Sequence, residues 1–439
     1  MKKHEKTIGP KLIYISLAIT FVLWLFVPGK IALIFTEPWT ALNQIAALLG
    51  TVLFSWTMLL ATRLKFLEDW FGGLDKVYIW HKYTGQYGAA LILLHPLGLA
   101  FHNSKKFIKW FIPTGRSIPV DLGVVAFWIF AYIVALTLLF RQLRLKYHVW
   151  KWLHVLLTFA FIIAFVHVSL IGSDLAVFLP LRIWIKFFTI VGVFSGLYKF
   201  LFYKFLAPHY TYEVTQVKKL GNVYDIRLKP VGEKMQYIPG QFSFVRFKSK
   251  NISSEEHPFC MAALPEDPEL RYVIKELGDF TSTLHKLQPG DKAVIYGPYG
   301  RISKKYFDEP QKDAVFIAGG VGIAPFLAMS RTAPRFPNRN LYLYWCTRYA
   351  NEAVFDNELR QLAQKYPNFY YKNHTSREGN SGKGAGHITA QHILADIRNP
   401  QNTLFFMCAP VPMMKDLHKQ LLQAGIPRQN LIWEDFEML

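Results

Sequence analysis

Four histidines lie in two long apolar stretches at nearly matched spacing: His81 and His95 are 14 residues apart, His154 and His167 are 13 apart. On a helix rising ~1.5 Å per residue, each interval covers about 20 Å. That is most of the ~30 Å hydrocarbon thickness of a bilayer. A histidine in hydrocarbon is costly and is kept there for a task. Neutral imidazole coordinates iron, and a haem iron held by two histidines carries electrons without binding oxygen at the metal. Two such helices side by side would present one pair of imidazoles near each membrane face, enough for two b-type haems. The competing interpretation, core histidines hydrogen-bonded between helices, suits any one of them better than it suits two matched pairs.

The elements that must position them are apolar helices. The chain has 439 residues, 52% of them hydrophobic, and the apolar runs crowd into its first half. Six stretches approach the length of a spanning helix: Leu12–Val27, Ala41–Ala61, Tyr83–Phe101, Leu122–Phe140, Trp152–Ile171 and Leu181–Phe202. The first lacks a small-residue cleavage site and reads as an anchor rather than a signal peptide. The last carries Arg182, Lys186 and Lys199 near its ends, where long side chains snorkel. Lysines 2, 3, 6 and 11, then Arg63, Lys65, Lys76 and Lys82, then Arg141, Arg144, Lys146 and Lys151 make alternate loops basic. An even number of spans then puts both termini in the cytoplasm. The loop with Lys105, Lys106, Lys109 and Arg116 runs against this, but the totals favour it.

In that orientation the third and fifth stretches both run outward. His81 pairs with His154 on the inner side, and His95 with His167 on the outer. Fourteen residues return His95 to within ~40° of the His81 face, whereas 13 leave His167 ~140° from His154. A π-bulge between Phe159 and Ala164, or haems offset sideways, is therefore expected. His148 is expected on the cytoplasmic surface and His102 at the outer interface. The formal net charge of +20 fits anionic membrane lipid and phosphate-bearing cofactors. No nucleic-acid motif accompanies it, so nucleic acid is not an expected partner. Three cysteines, Cys260, Cys346 and Cys408, argue against a disulfide framework.

After Pro208 the pattern changes to short strands: Tyr210–Lys218, Asn222–Lys229, Gln241–Phe247, Arg271–Lys275 and Ala293–Tyr296, expected to form a small antiparallel barrel ending near Arg301. Strands Ala314–Ala318, Leu341–Cys346, Phe369–Asn373 and Leu404–Cys408 then alternate with helices, the pattern of a parallel sheet. The first ends in Ala318-Gly319-Gly320-Val321-Gly322-Ile323-Ala324-Pro325. Glycines at a strand-to-helix junction let backbone approach a pyrophosphate. The turn lacks the third glycine of the standard dinucleotide fingerprint.

The order of these motifs resembles the ferric reductase and NADPH oxidase superfamily, in the form of a prokaryotic-type member with a ferredoxin-reductase-type FAD/NAD(P) module. The resemblance runs from about Ala41 to Phe436. It rests on the four histidines, Pro239-Gly240-Gln241-Phe242, His257-Pro258-Phe259, Leu277-Gly278-Asp279-Phe280-Thr281, Gly297-Pro298-Tyr299-Gly300, the glycine turn and an aromatic near the C-terminus. It implies a membrane all-α six-helix haem-binding bundle (residues 1–207), a β-barrel FAD domain (208–305) and an α/β parallel-sheet NAD(P) domain (306–439).

The resemblance also implies roles. His81, His95, His154 and His167 would ligate haem iron. His257, Pro258 and Phe259 would border the flavin, with Cys260 where relatives carry Ser or Thr. Lys275 and the turn Gly278, Asp279, Phe280 and Thr281 would hold the flavin phosphates. Gly319, Gly320 and Gly322, with Pro325 opening the next helix, would take the nicotinamide cofactor's pyrophosphate. Cys408 would lie beside the nicotinamide and Phe436 would stack on the flavin ring; Ala409 replaces a usual glycine. Ser376 and Arg377, with Arg348, favour NADPH by binding a 2′-phosphate, with NADH the alternative.

The implied activity is electron transfer from cytoplasmic NADPH through FAD and two haems to an acceptor outside. The first expectation is O2, giving superoxide and H2O2. The alternatives are a ferric chelate, a quinone or a periplasmic redox partner. Ala41–Ala61 carries no arginine of the kind eukaryotic oxidases place near the outer haem, leaving Arg116 and Arg182 as substitutes. With no calcium-binding loop and no long regulatory insertion, no obligatory activating subunit is expected.

Overall fold

The computed structural model describes residues 7–102, 111–113, 115, 117–140, 142–144, 147–171, 174–377 and 386–434. The chain divides after Ala207 into two compact units.

The first unit is helical: α1 (Gly9–Leu25), α2 (Lys30–Thr36), α3 (Pro38–Leu60), α4 (Lys65–Phe71), α5 (Leu74–His102), α6 (Ile118–Leu139), α7 (Tyr147–Val155), α8 (Leu157–Leu170), α9 (Asp174–Val177), α10 (Leu179–Leu197) and α11 (Tyr203–Leu206). Pro10, Pro38, Pro119 and Pro180 open four of the long helices, where a missing N–H costs nothing. Among the described residues, four helical spans are long and apolar enough to cross a membrane: Pro38–Leu60, Ile118–Leu139, Val149–Leu170 and Leu179–Leu206. A fifth is broken, because α1 and α2 meet at 87° around Gly29, whose φ is +81°. Several membrane-length apolar helices are therefore present, one of them bent, and α5, at 29 residues, contains the third expected stretch. Phe35, Trp39, Ile183 and Phe194 point outward and are exposed, as lipid-facing residues are.

Close approach of α3 and α5 follows from glycine. A Cβ on Gly88 would lie 3.2 Å from the Leu53 Cβ, and one on Gly98 2.9 Å from the Asn43 Cβ. Without side chains there, the two backbones come near enough for polar groups on α3 to reach histidines on α5. Phe54, Phe130 and Phe161 then meet at the centre, with ring centroids 5.0 and 5.3 Å from Phe54.

The irregularity in the fifth span lies at Leu156, between α7 and α8, and not between Phe159 and Ala164. The Leu156 N–H bonds the Leu153 carbonyl at 3.0 Å, a tight three-residue turn and not a π-bulge. Such a turn overwinds the helix by ~20° per residue, which rotates His167 back toward the His154 face. Among the described residues, a π-helical turn occurs instead at Tyr198–Phe202.

The second unit holds two sheets. The first comprises β1 (His209–Leu220), β2 (Val223–Pro230), β3 (Phe242–Lys248), β4 (His257–Cys260), β5 (Leu270–Lys275) and β6 (Lys292–Tyr299), in the order β4-β3-β6-β1-β2-β5 and antiparallel throughout. Met261, just past β4, bridges Tyr272 of β5, and the Ala262 N–H bonds the Arg271 carbonyl at 2.8 Å, so the two edges of this antiparallel sheet meet. Short α12 (Asp279–Ser282) and α13 (Lys304–Asp308) flank β6 in the chain.

The second sheet is parallel: β7 (Ala314–Gly319), β8 (Leu341–Thr347), β9 (Phe369–Thr375), β10 (Leu404–Cys408) and β11 (Leu431–Trp433), ordered β11-β10-β7-β8-β9. Helices α14 (Ala324–Ser330), α15 (Asp356–Lys365), α16 (Ala390–Leu394) and α17 (Val411–Gln423) connect its strands. Every residue of β7 is buried, as in a strand covered on both faces.

Candidate functional site

In the membrane unit each of the four histidines uses Nδ1 in the same way. His81 Nδ1 donates to the Thr57 carbonyl at 2.9 Å, and His167 Nδ1 to the Pro119 carbonyl at 2.7 Å. His95 Nδ1 donates to Asn43 Oδ1 at 2.7 Å. His154 Nδ1 lies 3.3 Å from Thr137 Oγ1, whose own hydroxyl donates to the Ile133 carbonyl at 2.8 Å and so is left to accept. Carbonyl oxygens only accept, which fixes the proton on Nδ1 and presents Nε2 as a lone-pair donor. Histidines that bind metals are held in this way, the second nitrogen anchored to an acceptor.

The supporting helices are distinct: α3 serves both histidines of α5, and α6 serves both on α7 and α8. Gly123 on α6 is required, since a Cβ there would come 2.8 Å from the His167 ring. The ring centroids of His81 and His154 are 6.2 Å apart. Two metal–nitrogen bonds of ~2 Å, with about 1 Å from each nitrogen to its ring centre, add to ~6 Å. His95 lies within electrostatic reach of His167. His81 thus faces His154, and His95 neighbours His167. The His102 and His148 side chains lie outside the described set.

In the reductase unit the sequence motifs converge. The His257 ring stacks on Phe280 at 3.9 Å and 22°, bringing the His-Pro-Phe strand against the Gly278–Thr281 turn. Within that turn the Thr281 hydroxyl accepts from the N–H groups of Leu277 and Gly278 at 2.9 and 3.0 Å. Asp279 accepts from the Phe280 N–H at 2.8 Å. Phe280 is buried, so its side chain packs and is not available to a phosphate. Gln241 Nε2 donates to the Gly300 carbonyl at 3.0 Å, tying Pro239–Phe242 to Gly297–Gly300. Gly240 and Gly300 both have φ of +97°, a region open chiefly to glycine.

A Cβ on Gly322 would lie 1.9 Å from the Cys408 carbonyl oxygen, so only glycine lets this turn close on the end of β10. The Trp345 indole donates to the Gly320 carbonyl at 2.8 Å, steadying the turn from β8. Pro325 opens α14, as expected. Burial pushes the Cys408 thiol up to about 12, with Glu434 adding to the shift. Burial likewise pushes the Cys260 thiol well up, and Cys408 and Glu434 contribute. Phe436 falls outside the described residues.

Glu434 was not singled out from sequence. It is buried and accepts from the Ile302 N–H at 2.8 Å and from the Arg301 N–H, which fastens the chain end beside the two cysteines. A lone glutamate five residues from the C-terminus carries no sequence signal of its own.

At the carboxyl ends of β8 and β9, the Ser376 N–H bonds the Thr347 carbonyl at 2.9 Å and the Arg377 N–H bonds the Arg348 carbonyl at 3.0 Å. Arg348, Ser376 and Arg377 are thereby brought together. Glu352, the nearby acid, accepts from the Arg348 N–H at 2.9 Å. Ion pairs staple the two sheets. Arg271 on β5 is bidentate to Asp225 and also reaches Glu358 on α15 at 2.9 Å; Arg331 pairs with Asp267.

Comparison with known proteins agrees with this layout. The family described as "Ferric reductase like transmembrane component" matches residues 46–165, "FAD-binding domain" matches 209–319, and "Oxidoreductase NAD-binding domain" matches 316–419. One component of the Na(+)-translocating NADH-quinone reductase of Pseudomonas aeruginosa is 29% identical over 215 residues, 45% of this chain and 52% of its own. The toluate 1,2-dioxygenase electron transfer component of Pseudomonas putida is 25% identical over 209 residues, 46% of this chain and 60% of its own. This chain thus spans about half the length of the curated relatives it matches. The flavohemoglobin of Malassezia yamatoensis aligns with a TM-score of 0.50 at 15% identity, over 91% of this chain and 98% of its own, a likeness of fold alone.

The fold and these matches define an electron-transfer oxidoreductase that binds FAD and a nicotinamide cofactor. More particularly, the chain is a ferric-reductase-like transmembrane domain fused to an FAD/NAD(P)-binding reductase module, the architecture of the ferric reductase and ferredoxin reductase superfamily.

Proposed function

We propose that this chain carries electrons from cytoplasmic NADPH, by way of FAD and two haems, to a ferric chelate on the far side of the membrane. The observation that carries the haem reading is the shared tether of the four imidazoles, each anchored at Nδ1. The 6.2 Å separation of His81 and His154 supports it independently. When bound, FAD supplies the conversion of a hydride into single electrons and the haems supply their carriage.

The protein's own part is to bind, orient and insulate. His81 with His154, and His95 with His167, hold the two irons at opposite ends of the helices. His257, Pro258, Phe259 and Cys260 would line the flavin, and Lys275 with the turn Gly278, Asp279, Phe280 and Thr281 would hold its phosphates. Gly319, Gly320 and Gly322 receive the nicotinamide cofactor's pyrophosphate. Cys408, kept as a thiol by burial, would sit beside the nicotinamide, and Phe436 would cover the flavin ring. Arg348, Ser376 and Arg377 favour the 2′-phosphate of NADPH; the engagement of Glu352 with backbone removes the obvious acid for a bare ribose. Both termini face the cytoplasm in this reading.

A ferric chelate is favoured by the family that matches the membrane half. A second reading, a quinone or a periplasmic redox partner, is favoured by the similarity of the reductase half to a component of a quinone reductase. Oxygen reduction has less support, since Ala41–Ala61 holds no arginine. Purified protein supplied with NADPH, scored in parallel for Fe(II) release, quinol formation and oxygen uptake, separates the three. Fe(II) release that persists without oxygen uptake and is insensitive to superoxide dismutase supports the proposal. Oxygen uptake that accounts for all NADPH consumed rejects it.

A further inference from the structure

The four histidine tethers are not equivalent. Two use backbone carbonyls, of Thr57 and Pro119, which any residue at those positions would supply. One uses the Thr137 hydroxyl at 3.3 Å, the longest of the four. Asn43 alone among the described residues offers a side-chain amide, and at 2.7 Å its contact is as short as any. Asn43 is 4% exposed and lies 52 positions before the histidine it holds. Its place is built from both sides: Gly98, three residues beyond His95 on α5, is bare where a Cβ would strike the Asn43 Cβ at 2.9 Å.

A strong acceptor at Nδ1–H draws the proton outward and enriches Nε2 in electron density. A richer nitrogen stabilises ferric iron over ferrous and lowers the reduction potential. The two outer tethers are both 2.7 Å, whereas the inner ones are 2.9 and 3.3 Å. We infer that Asn43 is a positioning residue, which fixes the His95 ring and holds the outer haem at a low potential. That suits delivery to an acceptor that is hard to reduce. The inference rests on the haem reading given above.

The test is redox titration of the full-length protein, with haem per chain counted from the Soret band. Asn43→Val should retain two haems and full flavin, and should raise the potential of one haem while leaving the other in place. Asn43→Asp, which restores an acceptor and adds charge, should bring that potential back to the wild-type value or below it. If Asn43→Val sheds one haem, the Asp variant decides: two haems with a lowered potential uphold the role, and a haem deficit equal to that of Val rejects it. Two haems with both potentials unmoved in Asn43→Val, or both shifted equally, overturns the inference while sparing the haem reading. Wild-type protein without a Soret band removes both.

Discussion

Removal of the Arg271 side chain should separate the cost of a stranded charge from the worth of an ion pair. Arg271 is 8% exposed and Asp225 7%, and the guanidinium bonds both Asp225 oxygens at 2.9 Å. Its second partner, Glu358, has a side chain 41% exposed. Arg271→Met leaves Asp225 buried without its counter-ion, a loss of ~3–5 kcal/mol. Glu358→Gln removes an accessible charge that water replaces, and should cost ~1 kcal/mol or less. In a unit of this size each kcal/mol lowers Tm by ~2–4 °C. The assay is release of FAD fluorescence from the full-length protein on heating. Arg271→Met should lower the transition by ~6–20 °C, and Glu358→Gln by under ~4 °C. The double variant Asp225→Leu with Arg271→Met should recover much of the loss, since apolar side chains of similar volume replace a buried pair at little cost. A transition in Arg271→Met within ~2 °C of wild type, or a double variant less stable than the single, would refute this reasoning.

Other predictions concern the reductase unit. The Cys408 thiol, pushed up to about 12 by burial, stays protonated throughout the working range. The raised value favours the neutral form, so flavin reduction between about pH 7 and 10 should show no inflection that Cys408→Ala abolishes; stopped-flow absorbance of the flavin checks this. Arg377→Ala should raise KM for NADPH about tenfold, the worth of one exposed charge-assisted phosphate contact, and leave KM for NADH unchanged. An equal rise for both cofactors would show Arg377 outside the 2′-phosphate site.

Much of the architecture was legible because long periodic segments carry their own signal. Apolar runs marked the helices, and Gly319-Gly320-Val321-Gly322 marked the turn that closes on Cys408. Strands β4 and β11 were missed: one has four residues including Pro258, the other three, and neither is long enough to show alternation. The bend between α1 and α2 falls at Pro28-Gly29, with Gly29 at a φ of +81°; that dipeptide is a turn signal, and the expected stretch Leu12–Val27 stops just before it. The tight turn at Leu156 has no Gly or Pro among residues 153–159, so the 13-residue spacing pointed to an irregularity but to neither its kind nor its place. Asn43, Thr137 and Glu434 escaped because their partners are distant in the chain, at separations of 52, 17 and 132 residues. The glycines that bring α3 to α5 were the available clue to Asn43.

Everything proposed for the membrane unit requires that paired imidazoles on α5 and on α7–α8 hold two irons. The most direct measurement is the reduced-minus-oxidised spectrum of protein expressed with ample haem, wild type against His81→Ala, His95→Ala, His154→Ala and His167→Ala. Two haems per chain are expected in the wild type and the loss of one in each variant, with FAD retained and still reduced by NADPH. A folded, flavin-replete wild type with no Soret absorbance, or four variants with undiminished haem, would contradict this.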